Sequence, residues 1–451
     1  MAAQAEEFDV VVVGLGPGGE EVAGRLAEAG MAVAGVEANL VGGECPYWGC
    51  IPSKMMVRAA ELLAEGRRVP GMAGESTVVA DWSPVAGRIR EEATDHWNDK
   101  VAADRFTGKG GTLVRGRGKI TGPGEVTVDG KRVLRARRGI VIATGTRPAV
   151  PPVPGLAGTP YWTNHEAIEA EHVPESLIVL GGGAIGVELA QAFARFGAKV
   201  TVLEAADRLV PQEEPEAGEL LAKVFAEEGI TVRTGAEVTR VDHHGAAFTV
   251  MTEDGSHRGE RLLVATGRRV DLAALGVAAV GLDETARAIT TDERMRAADG
   301  LWAVGDVTGK GLFTHMAMYQ ARIALADILG EAAPPAEYHA VPRVTFTDPE
   351  IGAVGMTERQ ARDKGRAVRT ATTSISASSR GWIHRAQGFV KLVADERVLL
   401  GATCAGPYGG EVLGLLSLAV HAKVPLERLT SMIYAFPTFH RAIEDTLAEL
   451  R

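Results

Sequence analysis

Cys45 and Cys50 lie five residues apart in the run Gly42-Gly43-Glu44-Cys45-Pro46-Tyr47-Trp48-Gly49-Cys50-Ile51-Pro52-Ser53-Lys54. The 451-residue chain has only three cysteines. A pair so placed, behind an acidic opening (Met1–Glu7) that does not read as a secretory leader, points to redox chemistry rather than a structural staple. On an ideal helix the two Cα atoms would stand about 8–9 Å apart, beyond the roughly 7 Å reach of a disulfide. An oxidised pair therefore requires a distorted first turn, which Pro46 and Gly49 permit. The small and apolar residues of 54–65 recur at helical spacing, so the thiols are expected at a helix N-terminus, where the macrodipole favours thiolate. The structural alternatives are a stabilising bridge or two inert buried thiols. Cys404, alone in an apolar strand-like stretch, reads as core. No second Cys/His pair has zinc spacing, and the 11 histidines form no ligand set, so no metal site is expected.

Two glycine-rich turns must position cofactors near such a pair. Gly14, Gly16 and Gly19 follow the apolar run Phe8–Val13 and precede a helical stretch, Glu20–Ala29. In this spacing the first glycine makes the tight turn and the second admits a pyrophosphate. The third lets helix and strand pack closely, and the helix N-terminus attracts the phosphate. Glu37 closes the next strand, where a carboxylate can hold ribose hydroxyls. Gly181, Gly183 and Gly186 repeat the pattern between strands 177–180 and 199–203, with Glu204 at the matching position. An acid there favours a free ribose 2′-hydroxyl, hence NADH over NADPH, although Arg208 could weaken the preference.

Composition bounds the rest. The chain is 46% hydrophobic and 24% charged, with a net charge of −10, ordinary for a globular protein and without the basic tract that nucleic acid or an anionic membrane would require. No apolar stretch is long enough to span a bilayer, so a cytoplasmic location is expected. The proline-rich 148–154 and the segment Ala332–Ala336 read as boundaries, and Arg115–Arg138 reads as a surface β-meander. The fold class is α/β, with two Rossmann-like dinucleotide-binding domains and a separate α+β C-terminal domain. The expected division is 1–150, 151–271, 272–336 (a return to the first domain) and 337–451.

The Cys-x₄-Cys-x-Pro-Ser-Lys run behind an N-terminal fingerprint resembles the flavoprotein disulfide oxidoreductases, the family of dihydrolipoamide dehydrogenase, glutathione reductase and mercuric reductase. Ala143-Thr144-Gly145 and Ala265-Thr266-Gly267 resemble its two strand-ending motifs. Ala303-Val304-Gly305-Asp306 resembles its second flavin motif, and Thr314-His315-Met316-Ala317 the turn that meets the flavin. The run from Val341 to Gly352 resembles the start of its dimerisation domain. The resemblance implies FAD at Gly14, Gly16, Gly19, Glu37, Thr144, Gly145, Gly305, Asp306 and Ala317, and a nicotinamide cofactor at Gly181, Gly183, Gly186, Glu204 and Gly267. It implies Cys50 against the flavin, Cys45 exchanging with substrate, a Lys54–Glu188 ion pair, and a homodimer whose C-terminal segments each cover the partner's dithiol.

One departure matters. The family's C-terminal His-Pro-Thr, with a Glu shortly after, supplies an acid/base and the group that orients it. Here the run is Tyr434-Ala435-Phe436-Pro437-Thr438-Phe439-His440-Arg441, with Phe436 in place of the His and Arg441 in place of the Glu. Loss of a positioned base costs about 10²–10⁴-fold. Either His440 or Tyr434 supplies the proton, or the acceptor needs none, or the flavin reduces the acceptor directly. The acceptor is expected to be a small disulfide; the alternative is a quinone or metal ion. Tyr47 and Trp48 either narrow the mouth of the site or pack beneath a loop.

Overall fold

A computed structural model describes residues 5–450, so most of the acidic opening, Met1–Gln4, lies outside the described residues. The described residues form two compact units. The first comprises the chain up to Ser53, Gly87–Ala149 and Arg268–Tyr338; the second comprises Lys54–Ala86, Val150–Gly267 and the chain from His339 onward.

In the first unit the strand Glu6–Val13 is central, paired in parallel with Val33–Glu37 on one side and Arg132–Ile142 on the other. Val10 lies opposite Val33 and Gly139. Val10 and Val12 belong to one buried cluster and Val11 and Val13 to another. Burial on both faces explains why this strand reads as a continuous valine run rather than an alternating one. Leu301–Ala303 and Thr112–Arg115 extend the sheet. The expected meander is present as the antiparallel strands Gly118–Gly122, Glu125–Val128 and Arg132–Ile142. The helix after the first glycine turn runs Pro17–Glu28, starting earlier than expected because Pro17 is tolerated in the first turn.

The second unit contains a four-stranded parallel sheet, ordered Thr231–Arg233, Lys199–Leu203, Ser176–Leu180, Arg261–Val264. It also holds a five-stranded antiparallel sheet, Pro342–Thr345, Glu350–Gly355, Leu399–Gly406, Phe389–Ala394, Arg369–Ser374. Helices Gly409–His421 and Arg441–Glu449 contribute Val412, Leu416, Ile443 and Leu447 to the core beside that sheet. Cys404 is fully buried in the same core, and burial pushes its thiol up to about 12. His243 and His244 end a strand, Val238–His244, ahead of the turn at Gly245. Among the described residues no helix is long and apolar enough to cross a membrane.

Candidate active site

The two cysteines occupy different helices. Cys45 sits in the single turn Glu44–Tyr47, and Cys50 is the first residue of the helix Cys50–Arg68. The helix breaks at Trp48–Gly49, the kind of distortion that an oxidised pair at this spacing requires. A Cβ on Gly49 would stand 3.0 Å from the Glu44 carbonyl oxygen and 3.2 Å from the Cys45 Cα, so the turn closes tightly only because this residue is glycine. Cys45, Cys50 and Cys404 are all present as thiols. Cys50 is exposed and Cys45 half-buried. The Cys50 sulfur lies 3.5 Å from Thr314 Oγ1.

The helix-tip argument alone does not describe Cys45. Its hydrogen bond to Cys50 and its burial raise its pKa well above the ordinary thiol range. The macrodipole argument did not anticipate this because it treated the two thiols separately.

Both glycine turns have the shape a dinucleotide needs. Gly14 and Gly181 have φ of +92° and +106°, and a Cβ on either would stand 2.5 and 2.4 Å from the carbonyl oxygens of Ala143 and Ala265. Gly16 and Gly183 N-cap the helices Pro17–Glu28 and Ala184–Arg195 without a side-chain cap, and a Cβ on either would meet nothing within 4 Å. A Cβ on Gly19 or Gly186 would lie 2.0 Å from the carbonyl oxygen of Gly14 or Gly181. Uncapped N–H donors beside open space are where phosphates bind, so the residues present fit FAD and a nicotinamide dinucleotide.

The carboxylates behind the turns match as well. Buried Glu37 accepts from the backbone N–H groups of Leu15 and Asn39, both at 2.7 Å. Glu204 accepts from Gly182 and, at 2.7 Å, from Ala206. Burial raises the Glu37 pKa against those two hydrogen bonds. Arg208 is turned to Asp207 and to the Pro211 carbonyl, at 3.2 and 2.9 Å.

Asp306 is placed by a relay. The Thr146 hydroxyl donates to it at 2.8 Å and accepts from Arg268 Nε at 2.8 Å, and Arg268 also lies 3.4 Å from Glu44. Burial raises the Asp306 pKa, opposed by Thr146 and Arg268. Gly305 (φ +80°) donates to Gln320 Oε1 at 2.7 Å. Ala317 packs on the first helix, 3.2 Å from where a Gly18 Cβ would be. Thr144 is exposed, and Gly145 and Gly267 have positive φ with no atom near a Cβ position.

In the second unit Lys54 and Glu188 form an ion pair at 2.6 Å. The other Glu188 oxygen accepts from Phe346 N at 2.8 Å, and Lys54 Nζ lies 4.7 Å from the Phe346 ring centroid. Tyr434 is buried, its hydroxyl donates to the Leu429 carbonyl at 3.0 Å, and burial pushes it up to about 12. It is a core residue with its proton already committed. His440 N-caps the last helix and is half-buried. Phe436 is exposed.

A wall of the site was not legible in the sequence. A π-helical turn, Ile89–Ala93, ends at buried Thr94 and is followed by Asp95, His96 and Trp97 at φ 45°, 57° and 57°. Each left-handed residue costs about 1–2 kcal/mol, and π-turns and strained backbone concentrate at functional sites. This segment, the first helix and the Cys45 turn enclose a cavity of 670 Å³ reaching Cys45 and Thr314. Tyr47 is buried and lines it, so this aromatic both packs and narrows the site.

Residues 8–321 match the family described as pyridine nucleotide-disulphide oxidoreductase, and residues 341–447 match its dimerisation domain. The chain belongs to this family. The dihydrolipoyl dehydrogenase of Chlorobaculum tepidum is 34% identical over 98% of this chain and 96% of that one. The mercuric reductase of Acidithiobacillus ferrooxidans is 32% identical over 96% of this chain and 81% of that one. Among solved structures, the Cu(II) complex of the HOCl-induced flavoprotein disulfide reductase RclA from Escherichia coli aligns with a TM-score of 0.87 and 28% identity, covering 99% of this chain and 100% of that one. As a pyridine nucleotide-disulphide oxidoreductase, the chain is an enzyme of the NAD(P)H- and FAD-dependent flavoprotein type.

Proposed function

We propose that the enzyme passes electrons from NADH through FAD to the Cys45–Cys50 pair and on to a small disulfide. The observation that carries this reading is the broken helix. It sets one thiol at a helix tip and the other half-buried beside a cavity. Bound FAD would supply an electron pair to the sulfur bond after accepting hydride from the nicotinamide. Gly14, Gly16, Gly19, Glu37, Thr144, Gly145, Gly305, Asp306 and Ala317 would hold it. Gly181, Gly183, Gly186, Glu204 and Gly267 would hold NADH, a preference supported by Glu204 and by the engagement of Arg208 away from the turn. The domain division follows: FAD-binding segments 1–150 and 272–336, nicotinamide-binding segment 151–271, and interface domain 337–451. Lys54, neutralised by Glu188, is the cation assigned to the flavin side of the dithiol.

In the reduced pair the Cys50 sulfur accepts the Cys45 proton as the Cys45 sulfur attacks one sulfur of the acceptor, whose S–S bond breaks. The first leaving thiolate then takes that proton from Cys50. The Cys50 sulfur then attacks Cys45, expelling the second thiolate, which is protonated by water, and the Cys45–Cys50 bond is restored. Two electrons have moved to the acceptor. The working form is a homodimer in the cytoplasm, a reading supported by the dimerisation domain and by the exposed Ile433 and Phe436 on its C-terminal segment. Anaerobic titration with NADH should produce a long-wavelength absorbance band that is lost in Cys50→Ser; a wild-type protein without the band refutes the reading.

Phe436 and Arg441 favour a second reading, direct reduction of a quinone or metal ion without thiol exchange. Turnover retained in Cys45→Ser would select it.

A further inference from the structure

The cavity beside Cys45 carries a charge pattern that bears on the acceptor, an inference resting on the disulfide reading above. Its ionisable lining includes Glu20, Glu21, Glu92 and Asp95 against Arg105 and Lys109. Both cations are committed: Arg105 pairs with Glu20 at 2.5 Å, and Lys109 with Glu28 at 3.4 Å. Glu92 is paired with Arg88 at 3.1 Å. Glu21 and Asp95 have no ion-pair partner among the described residues. The Tyr47 phenol on this wall is raised by burial and by Asp99 and Glu20, against opposing contributions from Arg105 and Arg115. Asp95 is held in place by the left-handed turn, and Glu21 projects from the first helix, so both charges are fixed to backbone that the fold defines. The space at Gly24 on the same helix is covered only by the Lys109 side chain, 3.1 Å from a Cβ position there.

We propose that this cavity selects acceptors by charge: Cys45 takes a small cationic disulfide in preference to a neutral one, and disfavours an anionic one. Opposite charges in a partly desolvated cavity attract through an effective dielectric well below that of water, and the effect is screened by salt. A spread of about tenfold in kcat/KM between cationic and anionic forms of one scaffold is the expected size.

The test holds the disulfide constant and varies its charge. Lipoamide, lipoate and the aminoethyl amide of lipoic acid are neutral, anionic and cationic on the same dithiolane ring. With NADH and the holoenzyme, kcat/KM should rise from lipoate to lipoamide to the aminoethyl amide. The spread should shrink in high salt and should flatten or invert in Glu21→Lys. A flat or reversed order in the wild-type enzyme overturns the charge proposal alone, whereas turnover of none of the three removes the disulfide reading and this proposal with it. A readout independent of turnover uses Cys50→Ser holoenzyme, in which Cys45 is the one remaining pair thiol. Cationic, neutral and anionic methanethiosulfonates should modify it in that order of rate, and equal rates would again overturn the proposal.

Discussion

The guanidinium of Arg441 lies over the ring of Phe436, 5.9 Å from its centroid, and pairs with Glu444 at 3.1 Å. The two positions that carry a His and a Glu in typical disulfide oxidoreductases therefore touch here too, but as a cation and an aromatic face. The two residues suit each other physically: a cation favours a phenyl face and would oppose a protonated imidazole.

That fit makes the single variant a poor test of the missing base. Phe436→His should raise lipoamide turnover only slightly, because Arg441 disfavours imidazolium. Phe436→His with Arg441→Glu should raise it by about 10²-fold or more, the lower range of general-base contributions. Steady-state kinetics with NADH decides. A double variant no better than wild type would mean that proton transfer at this position is not what limits turnover.

The hydrogen-bonded thiols give a pH signature. Cys50 is the largest cause of the raised Cys45 pKa, so Cys50→Ala should move the pH midpoint of Cys45 alkylation downward. At pH 8 the reaction should then run faster, by about tenfold for every pH unit that the midpoint falls. Iodoacetamide kinetics across pH 6–10 on the reduced protein measures this. A midpoint that stays put or rises contradicts the hydrogen-bonded pair.

Asp348 is a structural anchor of the second unit. It pairs with buried Arg195 at 2.8 Å and with Arg68, and Arg195 also holds Glu228 at 2.6 Å. Burial would raise the Asp348 pKa, but the two arginines lower it overall. A depressed carboxylate contributes stability that is complete above its unfolded pKa of about 3.9 and disappears as pH falls through the folded value. Asp348→Asn should therefore cost about 2–3 kcal/mol at pH 7. The gap to wild type should begin to narrow below about pH 4 and close only below the folded pKa. Urea melts from pH 7 down to about pH 2 would show it; a constant gap would assign the loss to packing.

The Lys54–Glu188 pair should behave asymmetrically. Lys54→Met leaves Glu188, only 6% exposed, with one backbone donor and no cation. It should cost about 2–3 kcal/mol of stability and lower the flavin midpoint potential. The double variant Lys54→Met/Glu188→Leu should recover most of the stability and none of the potential. Thermal melts and redox titration separate the two, and a double variant as unstable as the single would deny that the buried carboxylate is the cause.

The glycine turns, their strands and the terminal acids were legible in the sequence because each is a local rule of backbone geometry, confined to about 25 consecutive residues. The helix break between the cysteines was also legible, since a disulfide at this spacing cannot form on a regular helix. The direction of the Cys45 pKa was not, because it depends on a hydrogen bond between the two thiols and on burial. The exclusion of Tyr434 from proton transfer depends on the Leu429 carbonyl, a tertiary partner that no periodicity announces. The Ile89–Trp97 wall carries no glycine to mark its left-handed turn, so nothing in the sequence singled out Asp95, His96 and Trp97. The Thr314 contact with Cys50 joins residues 264 positions apart.

Glu37 and Glu204 each accept hydrogen bonds from the backbone of their own glycine turn and, on the proposed reading, would also meet a ribose. On that reading, cofactor preference and turn shape are written in the same atom set. An engineer who replaces Glu204 to admit a phosphorylated ribose also unbuttons the amides of Gly182 and Ala206, and must furnish a new acceptor for them. Lineages that switch coenzyme from this starting point would have to rebuild the turn and the pocket together rather than one residue at a time.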